Sequence, residues 1–271
     1  MTSQIAGISR SALVIEIGGI PIRLHTDDPA FLKLLEQRYA GFVTSASEVR
    51  FEFQIELVPP QSISPDEDVR VYWDSGRWSM ERGDFHAEWD PTAASGRIRQ
   101  TANPYSIDSV LRIVHTLLLA TESGFLIHAA SAVRNGRAFL FAGLSGAGKT
   151  TIAGLAPPDA TLLTDEISYV RKLDDHYHAF GTPFTGELAR LGENVQAPIG
   201  ALYLLAQGRE NKIEPISSAD AARSLLKNIL FFARDPKLVQ LVFHAACAFT
   251  ERVPVRRLTF LPDARVWEMI A

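Results

Sequence analysis

Apolar and polar residues alternate along much of the first hundred positions, the period of half-buried β-strands. Residues 12–17 (ALVIEI) and 20–25 (IPIRLH) flank Gly18-Gly19, which predicts a tight hairpin. At 28–40 (DPAFLKLLEQRYA) the spacing becomes helical, with Asp28 as the cap and Pro29 at the first helical position. Residues 49–58 (VRFEFQIELV) set Phe51, Phe53, Ile55 and Leu57 against charged neighbours, as a strand with one buried face does. A Pro/Ser/Asp loop at 59–68 follows, then short strands at 69–73, 77–81, 84–89 and 96–101, with a turn at Asp74-Ser75-Gly76. No motif in residues 1–103 carries chemistry, and this β-rich domain with one helix reads as structural or substrate-shaping.

The character changes near residue 104. Residues 106–121 (SIDSVLRIVHTLLLAT) predict a long amphipathic helix capped by Ser106. Strands are expected at 125–133 and 137–142, joined by Asn135-Gly136, and at 161–172, 176–181, 199–206 and 211–216. Helices are expected at 218–233, capped by Ser217 or Ser218, and at 236–250. The fold class is therefore α/β: residues 104–271 form a mixed β-sheet with flanking helices, behind a smaller β-rich domain.

Composition narrows the function. At 271 residues, 46% hydrophobic and 21% charged, the chain can bury a core and is not a disordered one. A net charge of −4 supplies no field for nucleic acid or an anionic membrane, and no basic stripe interleaved with aromatics appears. Cys247, the single cysteine, cannot form an internal disulfide. No apolar run approaches the roughly 18 residues of a membrane helix, and MTSQIAGISR lacks the basic start and apolar stretch of a signal peptide. A cytoplasmic location is the expectation. The apolar 229–233 and 241–249 segments are candidates for core or for a homo-oligomer interface.

Candidate chemistry concentrates after the apolar run 138–142. Residues 143–150 read Gly-Leu-Ser-Gly-Ala-Gly-Lys-Thr, a complete G-x-x-x-x-G-K-[ST] entered from a strand and left by a helix. Gly143, Gly146 and Gly148 let the backbone curl so that the amides of Ser145, Gly146, Ala147, Gly148, Lys149, Thr150 and Thr151 face a phosphate. Lys149 would reach the β- and γ-phosphates and the Thr150 hydroxyl would coordinate Mg²⁺, so the expected cofactors are ATP and Mg²⁺. The helix beyond Thr151 is short, because Gly154 weakens it and Pro157-Pro158 ends it. That brevity points away from the commonest parallel-sheet arrangement around such loops.

Phosphoryl transfer also needs carboxylates for the metal and the incoming nucleophile. Asp165-Glu166 ends the apolar run 160–163, sixteen residues past Lys149. Adjacent strand residues face opposite sides, so both can serve one site only near a strand end or bend. Asp165 would take the proton of a substrate hydroxyl and Glu166 would hold the metal. His128 lies between Ile127 and Ala129 on the strand before the loop, where a buried structural role is the ordinary expectation. Glu187, in 181–188 (GTPFTGEL), carries no signal by itself. The other histidines show no metal-ligand spacing, so no structural metal is expected.

These residues resemble a known family. His128 in LIHAASAV, the loop GLSGAGKTT (143–151) and the acidic pair in LLTDEISYV (162–170) are similar to the C-terminal kinase domain of bacterial HPr serine kinase/phosphorylase and related proteins with a phosphoenolpyruvate-carboxykinase-type P-loop fold. GTPFTGE (181–187) and APIGALYLLAQ (197–207) extend the likeness to about half the chain. The resemblance implies a catalytic acid/base at Asp165, a second site carboxylate at Glu166, an active-site histidine at His128 and a Mg²⁺-linked glutamate at Glu187. Two departures stand out. Position 166 is Glu where the family pairs two Asp, and the glycine- and asparagine-rich signature tied to HPr recognition is missing. The likeness is closer to HPr-kinase-related proteins, among them those that phosphorylate a serine of a ribosomally made peptide. The leading expectation is a kinase acting on a hydroxyl, most simply serine, of a peptide or small-protein phosphoacceptor. A small-molecule kinase on the same fold and a nucleotide-binding module without transfer activity remain the alternatives.

Overall fold

The computed structural model describes residues 11–60, 68–186, 188 and 190–270. The chain divides into two units: one runs to Leu111 apart from Ile17–Gly19, and those three residues group with Arg112–Ala271 in the other.

In the first unit, strands β1 (Ser11–Ile17), β2 (Ile20–Thr26), β3 (Phe51–Leu57), β4 (Arg70–Asp74), β5 (Arg77–Arg82), β6 (Phe85–Asp90) and β7 (Ser95–Gln100) make one sheet in the order β1-β2-β3-β7-β6-β5-β4. The sheet is mixed, since β2–β3 and β3–β7 run parallel while β7, β6, β5 and β4 form an antiparallel meander. Strict alternation along β2 and β3 buries Ile22, Leu24, Phe51, Phe53 and Ile55 on one face, as their spacing predicts. Helix α1 (Pro29–Arg38) adds Phe31 and Leu35 to the buried set. The other face carries cross-strand ion pairs such as Arg99 with Glu56 at 3.4 Å and Arg77 with Glu88 at 3.9 Å, as a solvated surface does.

Asp28 caps α1 as expected: its carboxylate accepts the Phe31 amide at 2.9 Å, with Pro29 opening the first turn. Asp28→Ala is expected to cost about 1 kcal/mol, because one first-turn amide loses its acceptor. Chemical denaturation of the full chain measures it, and a change under a few tenths would refute the capping role.

Helix α2 (Pro104–Thr121) starts two residues before the expected cap. Asn103 accepts the Tyr105 amide through its side chain at 3.0 Å, and Ser106 lies inside the helix with its hydroxyl donating to Asp84 at 2.7 Å. The second unit then contains β8 (Phe125–Arg134), β9 (Arg137–Ala142), α3 (Lys149–Gly154), β10 (Thr161–Thr164), β11 (Ile167–Leu173), β12 (His176–Phe180), β13 (Gln196–Gln207), β14 (Lys212–Pro215), α4 (Ser218–Asn228), β15 (Ile229–Leu230), α5 (Pro236–Arg252) and β16 (Val255–Phe260). A 3₁₀ segment, Ala264–Met269, follows. Its nine-stranded sheet is also mixed, with β13 parallel to both β9 and β16 among antiparallel neighbours. Among the described residues, no helix is long and apolar enough to cross a membrane.

Two expected elements differ. The strand drawn over 161–172 breaks into β10 and β11, because Asp165 and Glu166 turn the chain between them. The helix drawn over 218–233 stops at Asn228; the β-branched and aromatic residues beyond it favour extended backbone, and Ile229–Leu230 pairs with β8.

Both faces of this sheet are covered, which is why β9 reads as the continuous apolar run AFLFA rather than alternating. Ala138, Leu140 and Ala142 join a cluster with Leu225 of α4 and Ala246 and Phe249 of α5. Phe139 and Phe141 point the other way, with Ile152 of α3 and Val266 and Trp267 of the 3₁₀ segment. The Trp267 indole donates to the Ile152 carbonyl at 3.0 Å and ties that segment to α3.

Strand β8 positions the site. Its first half pairs with β11 and β15, its second half with β9 and β10. The exchange falls at His128, which faces Ile167 of β11, and at Ala129, which faces Ala142 at the end of β9. The sheet therefore forks where the glycine loop begins on one side and the acidic turn ends on the other, the kind of opening at strand ends where ligands bind.

Candidate active site

The loop 143–150 leaves β9 with a backbone that only glycine permits at two positions: Gly146 has φ +77° and Gly148 φ +104°. A Cβ on Gly148 would lie 2.7 Å from the Phe260 ring, and one on Gly143 2.6 Å from Ala147 Cβ. At Gly143 and Gly148 the curl leaves no room for a larger residue, as a cradle built from backbone requires. Ala147 donates its amide to the Leu144 carbonyl at 3.0 Å, and the Gln207 side chain at the end of β13 donates to the Gly146 carbonyl at 2.6 Å, fixing the tip. Ser145 and Thr151 are exposed beside this curl, and Thr150 is half-buried. The short helix expected after the loop is α3, which ends at Gly154.

Lys149 is buried and its ammonium donates to the carbonyls of Gly143 at 2.8 Å and Leu144 at 3.3 Å. It folds over the loop it belongs to, where a phosphate's oxygens can replace those carbonyls as acceptors.

The acidic pair sits at a bend between β10 and β11, the condition under which adjacent residues can serve one site. Thr164, fully buried at the end of β10, accepts the amides of Glu166 and Ile167 through its hydroxyl, each at 3.2 Å, and donates to the Phe184 carbonyl at 3.3 Å. This side-chain turn reverses the alternation and sets both carboxylates at one place. Asp165 is buried, and its two oxygens accept the amides of Gly186 at 2.8 Å and Leu188 at 2.9 Å. Each carboxylate oxygen has a second lone pair, so accepting capacity remains.

Glu166 is half-buried, and Arg112 on α2 donates to it at 3.3 Å. Loss of solvent raises the Glu166 carboxyl above its ordinary value; Asp165 pushes the same way, against the pull of Arg112 and Lys149. His128, exposed on β8, is held below the ordinary imidazole range by partial desolvation and by the Lys149 and Arg112 cations, so it stays neutral near pH 7.

One electrostatic group thus contains Lys149, His128, Asp165 and Glu166 from the sequence reading, together with Arg112, which that reading did not single out. Glu187 lies outside the described residues. Arg112 did carry a signal: with Asp108 it is one of two formally charged residues in an otherwise uncharged helix. Its partner, 54 residues away, could not be read from spacing.

The residues present fit a polyphosphate and its metal in a particular way. Among the described residues, no three His, Cys, Asp or Glu side chains stand together as a metal cage. Mg²⁺ is ordinarily held by one or two protein groups plus phosphate oxygens and water, and a hydroxyl and a carboxylate such as those of Thr150 and Glu166 would be donors of that kind.

A family model described as SynChlorMet cassette protein ScmC matches residues 97–271. No curated protein matches. Among solved structures, one match is the HPr(Ser) kinase/phosphatase from Coxiella burnetii, at 13% identity and a TM-score of 0.25, covering 47% of this chain and 90% of that one.

Proposed function

We propose, for a chain that belongs to the SynChlorMet cassette protein ScmC family, an ATP- and Mg²⁺-dependent kinase of the HPr-kinase-like P-loop type. It transfers the γ-phosphoryl group to a hydroxyl, most simply a serine, of a peptide or small protein. The observation that supports this reading best is the grouping of a buried loop lysine, Lys149, with His128, Asp165 and Glu166 around one fork in the sheet.

The loop amides and Lys149 would bind the phosphates and accept the charge that develops as the bond to the β-phosphate oxygen lengthens. Asp165 would receive the proton of the acceptor hydroxyl as its oxygen attacks the phosphorus in line. His128, neutral and at the same opening, is suited to orient that hydroxyl through a hydrogen bond. Thr150, Glu166 and, by the family resemblance, Glu187 would hold Mg²⁺, which when bound would supply positive charge to offset that of the phosphates.

A second reading has one observation in its favour. Both Asp165 oxygens are engaged by backbone amides, as an anchor in a nucleotide-binding module without transfer activity would be. The two readings separate with γ-labelled ATP, Mg²⁺ and a pool of serine-containing peptides, read by mass spectrometry. The kinase reading expects label on an acceptor, reduced about a hundredfold or more in Lys149→Ala. ATP binding with no transfer to peptide or lysate acceptors would favour the module.

A further inference from the structure

Arg112 has more cationic capacity than its surroundings use. Its guanidinium has five N–H donors, yet the contact to Glu166 is a single one at 3.3 Å rather than a two-point fork. Its Nε is buried and has no hydrogen-bond partner among the described residues. The guanidinium carbon lies 4.9 Å from the centre of the fully buried Phe184 ring, within cation–π reach. The Arg112 side chain keeps 24% of its surface, so a ligand can reach it. Lys149 and Arg112 both act electrostatically on Glu166 and on His128, while the direct contact to the carboxylate is that of Arg112. Before any ligand binds, Lys149 and Arg112 balance Asp165 and Glu166. A triphosphate would add negative charge beside the loop, and Arg112 keeps a donor that no partner among the described residues takes.

We propose that Arg112 contacts the terminal phosphate and determines the preference of this site for a nucleoside triphosphate over a diphosphate. The proposal rests on the reading of residues 143–150 as a polyphosphate loop. Lys149 serves both ligands from within the loop. Arg112 serves only the longer one, exchanging its long contact with Glu166 for the terminal phosphate oxygens and leaving that carboxylate to the metal. The planar fork suits this role, because phosphate oxygens accept two parallel N–H bonds from one guanidinium.

Calorimetric titration of the full chain with AMP-PNP and with ADP, each with Mg²⁺, tests it. Arg112→Gln is expected to weaken AMP-PNP binding about tenfold or more, the value of a charged hydrogen bond, while ADP changes less than about threefold. Lys149→Ala is expected to weaken both. Equal weakening of AMP-PNP and ADP by Arg112→Gln, which a merely structural ion pair would give, overturns the proposal and leaves the phosphate loop standing. Absence of binding of either nucleotide to the unmodified chain overturns the loop reading and this inference with it. Should Arg112→Gln not fold, Arg112→Lys keeps the charge beside Glu166 but lacks the fork. It is expected to lose AMP-PNP affinity severalfold more than ADP affinity, and parallel losses would again refute the assignment.

Discussion

Asp165→Asn is expected to lower kcat for phosphoryl transfer about a thousandfold, within the range for losing a positioned general base, while changing the ATP dissociation constant no more than about threefold. An amide cannot take the acceptor proton at neutral pH, whereas the loop and Lys149, which hold the phosphates, are untouched. The substitution has a structural component that has to be separated. Asp165 accepts the amides of Gly186 and Leu188 through different oxygens. Asn offers one oxygen and one N–H₂, so one of those backbone donors would face another donor, at a cost of about 1–3 kcal/mol. Thermal unfolding measures that cost directly. If kcat falls while ATP affinity and most of the stability survive, the base assignment stands. A transfer rate within tenfold of the unmodified chain would show that Asp165 is an anchor for Gly186 and Leu188 only.

The parts of this site that could be read in advance are those whose chemistry is local in sequence. The loop needs glycines at fixed offsets, and Gly146 and Gly148 take up the positive φ that their spacing implied. The requirement that Asp165 and Glu166 share a bend follows from the two-residue period of a strand, and the chain does break there. What was not legible depends on long-range pairing. Nothing in LIHAASAV announces that β8 changes partners at His128, because that exchange is a property of the four strands around it. The charge of Arg112 stands out in its helix without naming a role, and Thr164 looks ordinary in sequence. One becomes a site cation through a partner 54 residues on, and the other organises the acidic turn through a hydroxyl that could equally have faced solvent. Boundaries failed for a related reason. The helix expected over 218–233 ends at Asn228, because Ile229 and Leu230 are claimed by pairing with β8.

The helix that carries Arg112 also carries a buried titratable ring, which contributes to the response of the protein to acid. His115 is completely buried, its Nδ1 2.9 Å from the Tyr169 hydroxyl, with the two rings edge to face. Burial, with the Arg171 cation adding to it, lowers the imidazole to about 3, and burial raises the Tyr169 phenol above its ordinary range. Both groups are therefore neutral in the folded chain. An unfolded histidine titrates near 6.5. Between that value and about 3, the unfolded state binds a proton here that the folded state does not, so stability falls as pH falls. The contribution is intact above pH 6.5 and is lost progressively below it. From pH 7 to pH 5 the loss at this one site is about 2 kcal/mol. Replacing the ring by a side chain that does not titrate, His115→Gln, removes that part of the slope. The variant is expected to be less stable at pH 7, because a packed ring is lost, yet to lose about 2 kcal/mol less than the unmodified chain on going to pH 5. His128, also held below its ordinary range, contributes with the same sign in both proteins and cancels in the comparison. Urea unfolding of both at the two pH values supplies the numbers. Parallel losses would mean that His115 takes up its proton without unfolding, and that the neutral His115–Tyr169 pair is not what acid breaks.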